Sequence, residues 1–230
     1  QILQTQRYKN AQITAIDLSL SSLSYAQRKI NELGINNVEL IEMDILEVSL
    51  LEEQFDIIEC GGVLHHMNDP SKGLKALLNV LKNNGFLKLG LYSELARKDI
   101  VEARNYIARK NLKPTTTEIR RFRKDVISGT HPEIENLQMR SSFYSTSECR
   151  DLCFHAQEHR FTINQLVETL KSNELEFLGF LLPKPVKSVY KQYFPEDKTQ
   201  TNLQNWASFE KKHPNTFKAM YQFWVTKINS

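Results

Sequence analysis

The sequence predicts an α/β fold with a doubly wound, mostly parallel sheet. Three observations support this prediction: apolar runs of strand length, helical spacing of apolar residues between them, and Gly, Asn or Pro where the pattern changes. Strands that alternate with helices form parallel sheets, because each connecting helix packs back onto a face of the sheet. The chain has 230 residues, 40% of them hydrophobic, which is enough to bury the core of such a domain.

The elements alternate regularly up to residue 92. The first strand, Ala11 to Leu18 (AQITAIDL), is an apolar run that ends in an acid, and we expect it to be buried. Ser19 is placed to cap the next helix, and Gly34 is placed to end it. Two further strands are predicted over 38–45 and 55–60. A helix over 70–81 then leads through a turn at 83–85 into a strand over 86–92.

The regular alternation stops after Ser93. A helix over about 94–111, a Pro/Thr-rich joint and a charged, partly helical segment follow, and we interpret 94–160 as a helical insert or lid. We expect a single domain over 1–230. After the insert it continues with a helix over 162–173 and a strand over 176–182. A helical excursion over 183–215 then leads to an antiparallel last strand over 216–227.

Composition excludes several classes of protein. A net charge of +3 is too small to predict binding to nucleic acid, which requires clustered Lys and Arg. Three cysteines do not make a disulfide framework in a chain of this size. The apolar stretches are strand-length, and the N-terminus lacks a secretory pattern. We therefore expect a cytoplasmic protein with no membrane partner.

Polar groups follow three of the predicted strands. Asp17 ends its strand just before a helix, where a carboxylate can accept hydrogen bonds from a ribose diol. Asp44, between Met43 and Ile45, is placed to accept from an adenine amine. Gly61 and Gly62 leave room for a ligand to approach the backbone. Because ligands of open α/β sheets lie at the carboxyl ends of the strands, these residues predict a nucleotide-type site.

These segments resemble a known family. The order AIDLS, MDI, FDIIECGGVLHHMNDP and GFLKLGLYS is similar to the Rossmann-like, class I S-adenosylmethionine-dependent methyltransferases. It is most similar to the bacterial group in which such a domain often accompanies tetratricopeptide repeats. Three downstream segments also resemble that group: FYSTSECRDLCFHAQEHRFT, LEFLGF and MYQFWV.

The resemblance implies transfer of a methyl group from S-adenosylmethionine, with S-adenosylhomocysteine as product. Asp17 and Leu18 would contact the ribose and Asp44 and Ile45 the adenine, while the methionine end would lie against Cys60, Gly61, Gly62 and Val63. The acceptor, a small molecule or a protein, is not specified by the sequence. Candidate acceptor contacts are Tyr92, Tyr144 and Arg150.

One part of the family pattern is absent from this sequence. The family begins with a strand and a glycine-rich turn, whereas residues 1–8 resemble the helix that follows that turn, and no Gly precedes Gly34. The resemblance therefore implies two unpaired strand edges, which could pair in a homodimer. It also implies weak cofactor binding and little methylation by this chain alone.

His65 and His66 follow the third predicted strand, where a side chain can act as a base or as a polar anchor toward the acceptor. The alternative is a capping or packing role, since methyl transfer often needs only alignment of the reacting groups.

A second group of possible functional residues is Cys149, Cys153, His155 and His159. The run HAQEH matches an inverted zinc-protease pattern. On one helix, however, the Cys pair and the His pair would point in different directions, so we predict no metal. The basic run at 120–124 is interpreted as a solvated face rather than as a site for an acidic acceptor.

Two other functions are compatible with the pattern. A catalytically silent methyltransferase-like scaffold would explain the absent glycine turn. A nicotinamide-dependent oxidoreductase would use the same ribose-binding acid, but the MDI and VLHH segments argue against it.

Overall fold

The computed structural model describes residues 6–8, 10–155 and 157–228. The helix expected over residues 1–8 lies mostly outside the described residues. Backbone contacts divide the chain into two compact units. The single domain over 1–230 stays a prediction. Unit 1 comprises Gln1–Asp56 and Ser71–Lys82, and unit 2 comprises Ile57–Pro70 and Asn83–Ser230. The α/β fold class is confirmed, with strands and helices in both units.

Unit 1 contains a pair of parallel strands and two helices. Strand β1 (Ile13–Asp17) pairs in parallel with β2 (Val38–Glu42), and helix α1 (Leu20–Glu32) connects them. Helix α2 (Pro70–Val80) also belongs mainly to this unit. Contrary to expectation, β1 is only half-buried. The reason is that β1 has a single neighbouring strand among the described residues, so its other edge is not covered by a strand.

The predicted ends of α1 are confirmed. The Ser19 hydroxyl accepts a hydrogen bond from the Ser22 amide at 3.2 Å, which satisfies one free donor of the first turn. Gly34 follows the helix with φ of +63°, a backbone conformation that favours glycine. Strand β2 ends earlier than predicted, at Glu42, because Asp44 caps a 3₁₀ helix over Ile45–Leu51.

Unit 2 contains most of a mixed four-stranded sheet in the order β3-β4-β6-β5. The strands are β3 (Phe55–Gly61), β4 (Leu81–Leu91), β5 (Leu175–Phe180) and β6 (Tyr221–Lys227). Strand β6 is antiparallel to both β4 and β5, which confirms the antiparallel last strand.

Strand β4 begins at Leu81, so the predicted turn over 83–85 is wrong. Two contacts hold these residues in extended form. The Lys82 ammonium lies 2.9 Å from the Asp56 carboxylate at the start of β3. The Thr226 hydroxyl of β6 donates to the Gly85 carbonyl at 2.9 Å. Contacts with the neighbouring strands therefore override the local Asn-Asn-Gly turn preference.

The insert after β4 is helical and has its own hydrophobic core. Its longer helices are α3 (Lys98–Arg109), α4 (Thr116–Ile127) and α6 (Thr146–Cys153); α5 (Pro132–Glu135) and 3₁₀ turns over Leu95–Arg97, Asn136–Met139 and Ser141–Phe143 complete it. The buried residues of this core come from every helix of the insert: Ile100, Ala103, Tyr106, Ile107, Leu112, Ile119, Phe122, Val126, Ile134, Leu137, Phe143, Cys149 and Cys153.

Two helices separate β5 from β6. They are α8 (Lys184–Tyr193) and α9 (Leu203–Lys212); α7 (Ile163–Ser172), which starts with a capping box at Thr162, precedes β5. Trp206 is fully buried, stacks on Tyr190 with ring centroids 3.7 Å apart, and donates from its indole to the Gln200 carbonyl at 2.8 Å.

None of the helices in the described part of the chain has the length and apolar character needed to span a bilayer.

Candidate functional site

Two acids of unit 1 lie at neighbouring strand ends. Asp17 is exposed at the end of β1, and its Oδ1 accepts from the Ser19 amide at 2.8 Å. Asp44 is half-buried beyond the end of β2, and its Oδ1 accepts from the Leu46 amide at 2.9 Å. Because Asp17 is the register partner of Glu42 in the parallel pair, the two acids lie at the same, carboxyl end of these strands.

Each acid uses only one of its carboxylate oxygens in the described structure. Within the described residues, Oδ2 of Asp17 and Oδ2 of Asp44 have no hydrogen-bond partner, while each Oδ1 fixes its side chain to the local turn. Leu18 is 68% exposed beside Asp17. Ile45, predicted to contact adenine, is 9% exposed, and its contact with the cofactor stays a prediction.

In unit 2, the end of β3 is open at the backbone. Gly61 and Gly62 are exposed, and a Cβ added to either would meet no atom within 4 Å. Gly62 has φ of +83°, a conformation that other residues rarely adopt. Val63 is 42% exposed, whereas Cys60 is buried, and burial raises the pKa of its thiol to about 11. The Cys60 thiol is therefore un-ionised at neutral pH.

Beyond β3, three histidines and a tyrosine pack ring against ring. We define His65, His66, Tyr92 and His155 as the histidine cluster. The ring centroids of His65 and Tyr92 are 3.7 Å apart, and those of His66 and His155 are 3.9 Å apart. His65 also contacts His66 edge to face at 4.4 Å. The structure thus brings the predicted residues His65, His66 and Tyr92 together and adds His155.

One backbone carbonyl contacts two histidines of this cluster. The Gln157 carbonyl lies 3.0 Å from His66 Nδ1 and 2.8 Å from His155 Nδ1. Since a carbonyl oxygen can only accept, its contact with His66 places the hydrogen of that ring on Nδ1, and Nε2 of the neutral ring presents a lone pair. The Gln157 amide also donates to His155 Nδ1 at 3.4 Å, so His155 Nδ1 has one donating and one accepting neighbour.

Burial favours the neutral form of His65 and His66. His65 is fully buried, and burial, with the charges of His66 and Arg97, lowers its pKa to about 3, although a backbone contact with Gly90 acts in the opposite direction. Neither ring nitrogen of His65 has a hydrogen-bond partner of acceptable geometry among the described residues. Burial also lowers the pKa of His66 and raises that of Tyr92.

A buried ion pair between Arg97 and Glu158 packs against the histidine cluster. The guanidinium of Arg97 lies 3.6 Å from the centroid of the Tyr92 ring and forms two hydrogen bonds with the Glu158 carboxylate. Arg104 also approaches Glu158, with Nη1 3.6 Å from Oε2, and donates through Nη2 to the His155 carbonyl. These contacts fix Tyr92 and His155 in place.

The segment that resembled a zinc-protease helix is not helical. Helix α6 ends at Cys153, and residues 157–160 have no regular secondary structure. Glu158 belongs to the ion pair, and in the described part of the chain no group of three or more His, Cys, Asp or Glu could hold a metal ion. The helical geometry assumed for this segment is therefore wrong.

The other candidate acceptor residues lie on the insert. Tyr144 is 54% exposed and donates to the Gln138 carbonyl at 3.1 Å, and Arg150 is exposed on α6. The described contacts do not bring either residue to the histidine cluster. Sequence reasoning also missed Arg97, Gln157 and Glu158. Arg97 pairs with Glu158, 61 positions away, and the Gln157 carbonyl contacts His66, 91 positions away.

Comparison with known families gives a match over the first part of the chain. Residues 1–89 match a family described as "Methyltransferase domain". The matched range includes Asp17, Asp44 and the Cys60 to Val63 loop, and it ends within β4.

Two curated proteins illustrate the sequence similarity. The chain is 31% identical over 183 residues to an uncharacterised protein of a Synechococcus species, covering 74% of this chain and 43% of that protein. It is 28% identical over 94 residues to malonyl-[acyl-carrier protein] O-methyltransferase of Acetivibrio thermocellus, covering 41% of this chain and 32% of the relative. The chain thus spans less than half the length of either relative.

A solved structure shares the fold. PKMT2 from Rickettsia typhi, also solved in complex with AdoHcy, superimposes with a TM-score of 0.71 over 98% of this chain and 46% of that chain. The sequences are 17% identical, so this likeness concerns the fold alone.

Proposed function

We propose that this protein transfers a methyl group from S-adenosylmethionine to a nucleophilic acceptor, since residues 1–89 match a methyltransferase-domain family. S-adenosylhomocysteine is the product. The observation that carries the proposal is the pair Asp17 and Asp44, which lie at the carboxyl end of two parallel strands. Each has one carboxylate oxygen without a hydrogen-bond partner among the described residues.

The donor set of unit 1 fits the nucleoside part of this cofactor. Oδ2 of Asp17 can accept from the ribose hydroxyls, and Oδ2 of Asp44 can accept from the exocyclic amine of adenine. Each carboxylate is already oriented by a backbone amide, so little side-chain entropy is lost when it binds. Exposed Leu18 provides an apolar surface beside Asp17.

The histidine cluster supports an acceptor that loses a proton. S-adenosylmethionine supplies an electrophilic methyl group on a positively charged sulfur. His66 is neutral because burial lowers its pKa, and the Gln157 carbonyl holds the ring so that Nε2 is the proton acceptor. His66 can therefore take a proton from a methyl acceptor that carries an O–H or N–H group, while the Tyr92 ring, in edge contact with His66, orients the imidazole.

The acceptor can be a small molecule or a protein group. The names of the relatives do not select one, because they include a malonyl-[acyl-carrier protein] O-methyltransferase and demethylmenaquinone methyltransferases. The chemistry of the cluster favours a neutral O–H or N–H nucleophile with a proton within reach of His66 Nε2.

Calorimetric titration with S-adenosylhomocysteine tests the cofactor site. Asp17→Asn and Asp44→Asn should each weaken binding about tenfold or more, since a charge-assisted hydrogen bond contributes ~1.5–3 kcal/mol. The matched control is Asp56→Asn, an exposed acid of unit 1 paired with Lys82, and it should leave the affinity unchanged.

Two outcomes contradict the proposal. One is unchanged affinity in both the Asp17 and Asp44 variants. The other is binding of NAD as tight as that of S-adenosylhomocysteine, which would favour an oxidoreductase.

A further inference from the structure

Three arginines of unit 2 converge on one carboxylate. Arg97, Arg104 and Arg160 all lie within 4.0 Å of the same side chain. It belongs to Glu158 and is fully buried. Arg97 occupies both of its oxygens, with Nε 2.9 Å from Oε1 and Nη2 2.5 Å from Oε2. One negative charge therefore faces three positive charges, and Arg104 and Arg160 have no other carboxylate within ion-pair distance among the described residues.

Arg104 and Arg160 lie near Glu158 without a hydrogen bond to it. Arg104 Nη1 is 3.6 Å from Oε2 and Arg160 Nη1 is 4.0 Å from Oε1, and both distances are too long for a hydrogen bond. Arg104 donates through Nη2 to the His155 carbonyl, whereas the guanidinium of Arg160 makes no hydrogen bond with the described residues. Since each guanidinium has five N–H donors, most donors of this pair are available to a ligand.

A ligand can reach these two arginines from solvent. Their side chains are 22% and 30% exposed, whereas Arg97 is 2% exposed. Because Arg104 and Arg160 are partly buried, water and salt screen their charges less than the charges of surface arginines. We define Arg104 and Arg160 as the arginine pair.

The neighbouring charges do not cancel the charge of the arginine pair. Arg140 and Asp99 form their own ion pair, with Nε 2.7 Å from Oδ2. Asp151 raises the pKa of Tyr92 and is therefore also in this region, but it is exposed and forms no ion pair with the described residues. Counted together, the four arginines and three acids of this region have a net charge of +1.

The arginine pair adjoins the histidine cluster. Arg104 donates to the carbonyl of His155, whose ring lies 3.9 Å from that of His66. Glu158 directly follows Gln157, whose carbonyl accepts from His66 Nδ1. Only His155 thus separates Arg104 from His66, so one ligand can contact the arginine pair and His66 with different groups.

We propose that Arg104 and Arg160 bind a carboxylate or phosphate group of the methyl acceptor, while its neutral O–H or N–H group faces His66. This inference rests on the proposed methyl transfer, and it narrows the acceptor to an anionic molecule or an acidic protein segment. The planar donor fork of a guanidinium matches the geometry of both anions. The bound anion also supplies the negative charge that Glu158 alone does not provide.

The alternative is that the arginine pair only reinforces the ion pair of Arg97 with Glu158. Reinforcement requires hydrogen bonds to the Glu158 carboxylate, and neither arginine of the pair makes one among the described residues. The partial exposure of both side chains also favours a ligand site over a purely structural role.

NMR titration of the protein with sulfate and with succinate tests this site. Sulfate stands in for a phosphate group and succinate for a carboxylate. The Nε–Hε signals of Arg104 and Arg160 should shift, and Arg104→Gln combined with Arg160→Gln should weaken binding of both anions about tenfold or more, because charge-assisted hydrogen bonds are lost. The matched control combines Arg109→Gln and Arg121→Gln, two exposed arginines of the insert, and should change the affinity less than about twofold.

His66 provides a second readout. Its pKa should rise when sulfate binds, because a nearby negative charge favours the protonated ring. Ring signals of His66 measured against pH, in sulfate and in chloride of equal ionic strength, record this change. The Arg104→Gln and Arg160→Gln double variant should show no difference between the two salts. A purely structural role of the arginine pair predicts no difference in the unaltered protein either.

A blocked pentapeptide, Gly-Gly-Glu-Gly-Gly, identifies the source of the anionic group. Tighter binding of the peptide than of succinate supports a protein acceptor, and tighter binding of succinate supports a small molecule. Three results overturn the proposal: no binding of sulfate or succinate, equal binding by the double variant, or an unchanged pKa of His66.

Titration with S-adenosylhomocysteine separates this inference from the proposed function. Binding of S-adenosylhomocysteine without binding of either anion overturns the anion site and leaves methyl transfer in place. Binding of the anions without binding of S-adenosylhomocysteine contradicts methyl transfer, and with it the assignment of the anion to a methyl acceptor.

Discussion

Arg97 and Glu158 form a two-point ion pair in the interior of unit 2. Arg97 Nε lies 2.9 Å from Oε1 and Nη2 lies 2.5 Å from Oε2, and the side chains are 2% and 0% exposed. The pair joins the first turn after β4 to the irregular segment that follows α6. Through Tyr92 and His155 it also sets the geometry of the histidine cluster.

Removing one partner of this pair should be strongly destabilising. Glu158→Gln leaves the buried guanidinium of Arg97 without its carboxylate, and we expect a loss of about 3–5 kcal/mol in the free energy of unfolding. Arg97→Gln should cost less, because Arg104 and Arg160 still approach the Glu158 carboxylate. Urea denaturation measures it. The control is Arg109→Gln, which breaks the more exposed pair with Glu133 and should cost less than about 1 kcal/mol. Equal effects of Glu158→Gln and Arg109→Gln would show that the buried pair is not structural.

The protein should lose stability as the pH falls below about 6.5. His65 has its pKa lowered to about 3 in the folded state, against an ordinary value of 6.5, so the unfolded chain binds the proton first. The stability that the neutral ring contributes is present above pH 6.5 and is lost as the pH falls toward 3. Between pH 6.5 and 5 the loss should approach about 1.4 kcal/mol per pH unit. His65→Gln, which does not titrate, should show a smaller slope in urea denaturation over the same range, and an identical slope would refute this assignment.

Glu210 predicts a pH dependence of the opposite sign. Its carboxylate is buried, forms no ion pair with the described residues, and accepts from the hydroxyls of Ser93, at 2.5 Å, and Tyr221, at 2.7 Å. Burial raises its pKa, so the folded state favours the protonated form. The associated stability is fully present below its ordinary value of 4.5 and is lost as the pH rises through the raised value.

Two substitutions test this buried acid. Glu210→Gln should flatten the pH dependence of thermal unfolding and cost little at pH 7, since a neutral side chain replaces a buried charge. Tyr221→Phe should cost about 1–3 kcal/mol at pH 7, because it removes a donor to the carboxylate. If Glu210→Gln is the more destabilising change at pH 7, the carboxylate is better stabilised than we infer.

The charged part of the insert, residues 118–160, should gain protection when ligand binds. It interrupts the strand and helix alternation after β4 and contains the partner of Arg97, so ordering of the histidine cluster by an acceptor should restrict it. Hydrogen exchange with S-adenosylhomocysteine, alone and with an acceptor, measures this protection. Exchange rates that ligand leaves unaltered throughout this segment would argue against a lid.

Local chemistry made much of this fold predictable. All six strands and the cap at Ser19 follow from apolar periodicity and from the hydroxyl group next to it. Asp17 and Asp44 were predictable for the same reason, because an acid after an apolar run marks a strand end. The 3₁₀ helix that Asp44 caps was not predicted, since its sequence ILEVSLL is as apolar as a strand.

Contacts distant in the chain were not predictable. Nothing near Glu158 distinguishes a buried ion-pair carboxylate from the general base of the pattern that HAQEH matches. Arg97 looked like one charge among several in ELARKD, and its partner is 61 positions away. The extension of β4 to Leu81 likewise depends on Asp56 and Thr226, which the local turn signal does not include.

The pairing of β4 with β6 determines what a ribosome exposes during synthesis. Thr226 bonds to Gly85, 141 positions earlier, so β4 leaves the exit tunnel long before its antiparallel partner exists. The insert, whose core residues all lie between Ile100 and Cys153, can fold during that interval from its own nearby contacts. We therefore expect β4 to pair with β6 only after Tyr221 to Lys227 have emerged, and until then its edge is open to a chaperone or a neighbouring nascent chain.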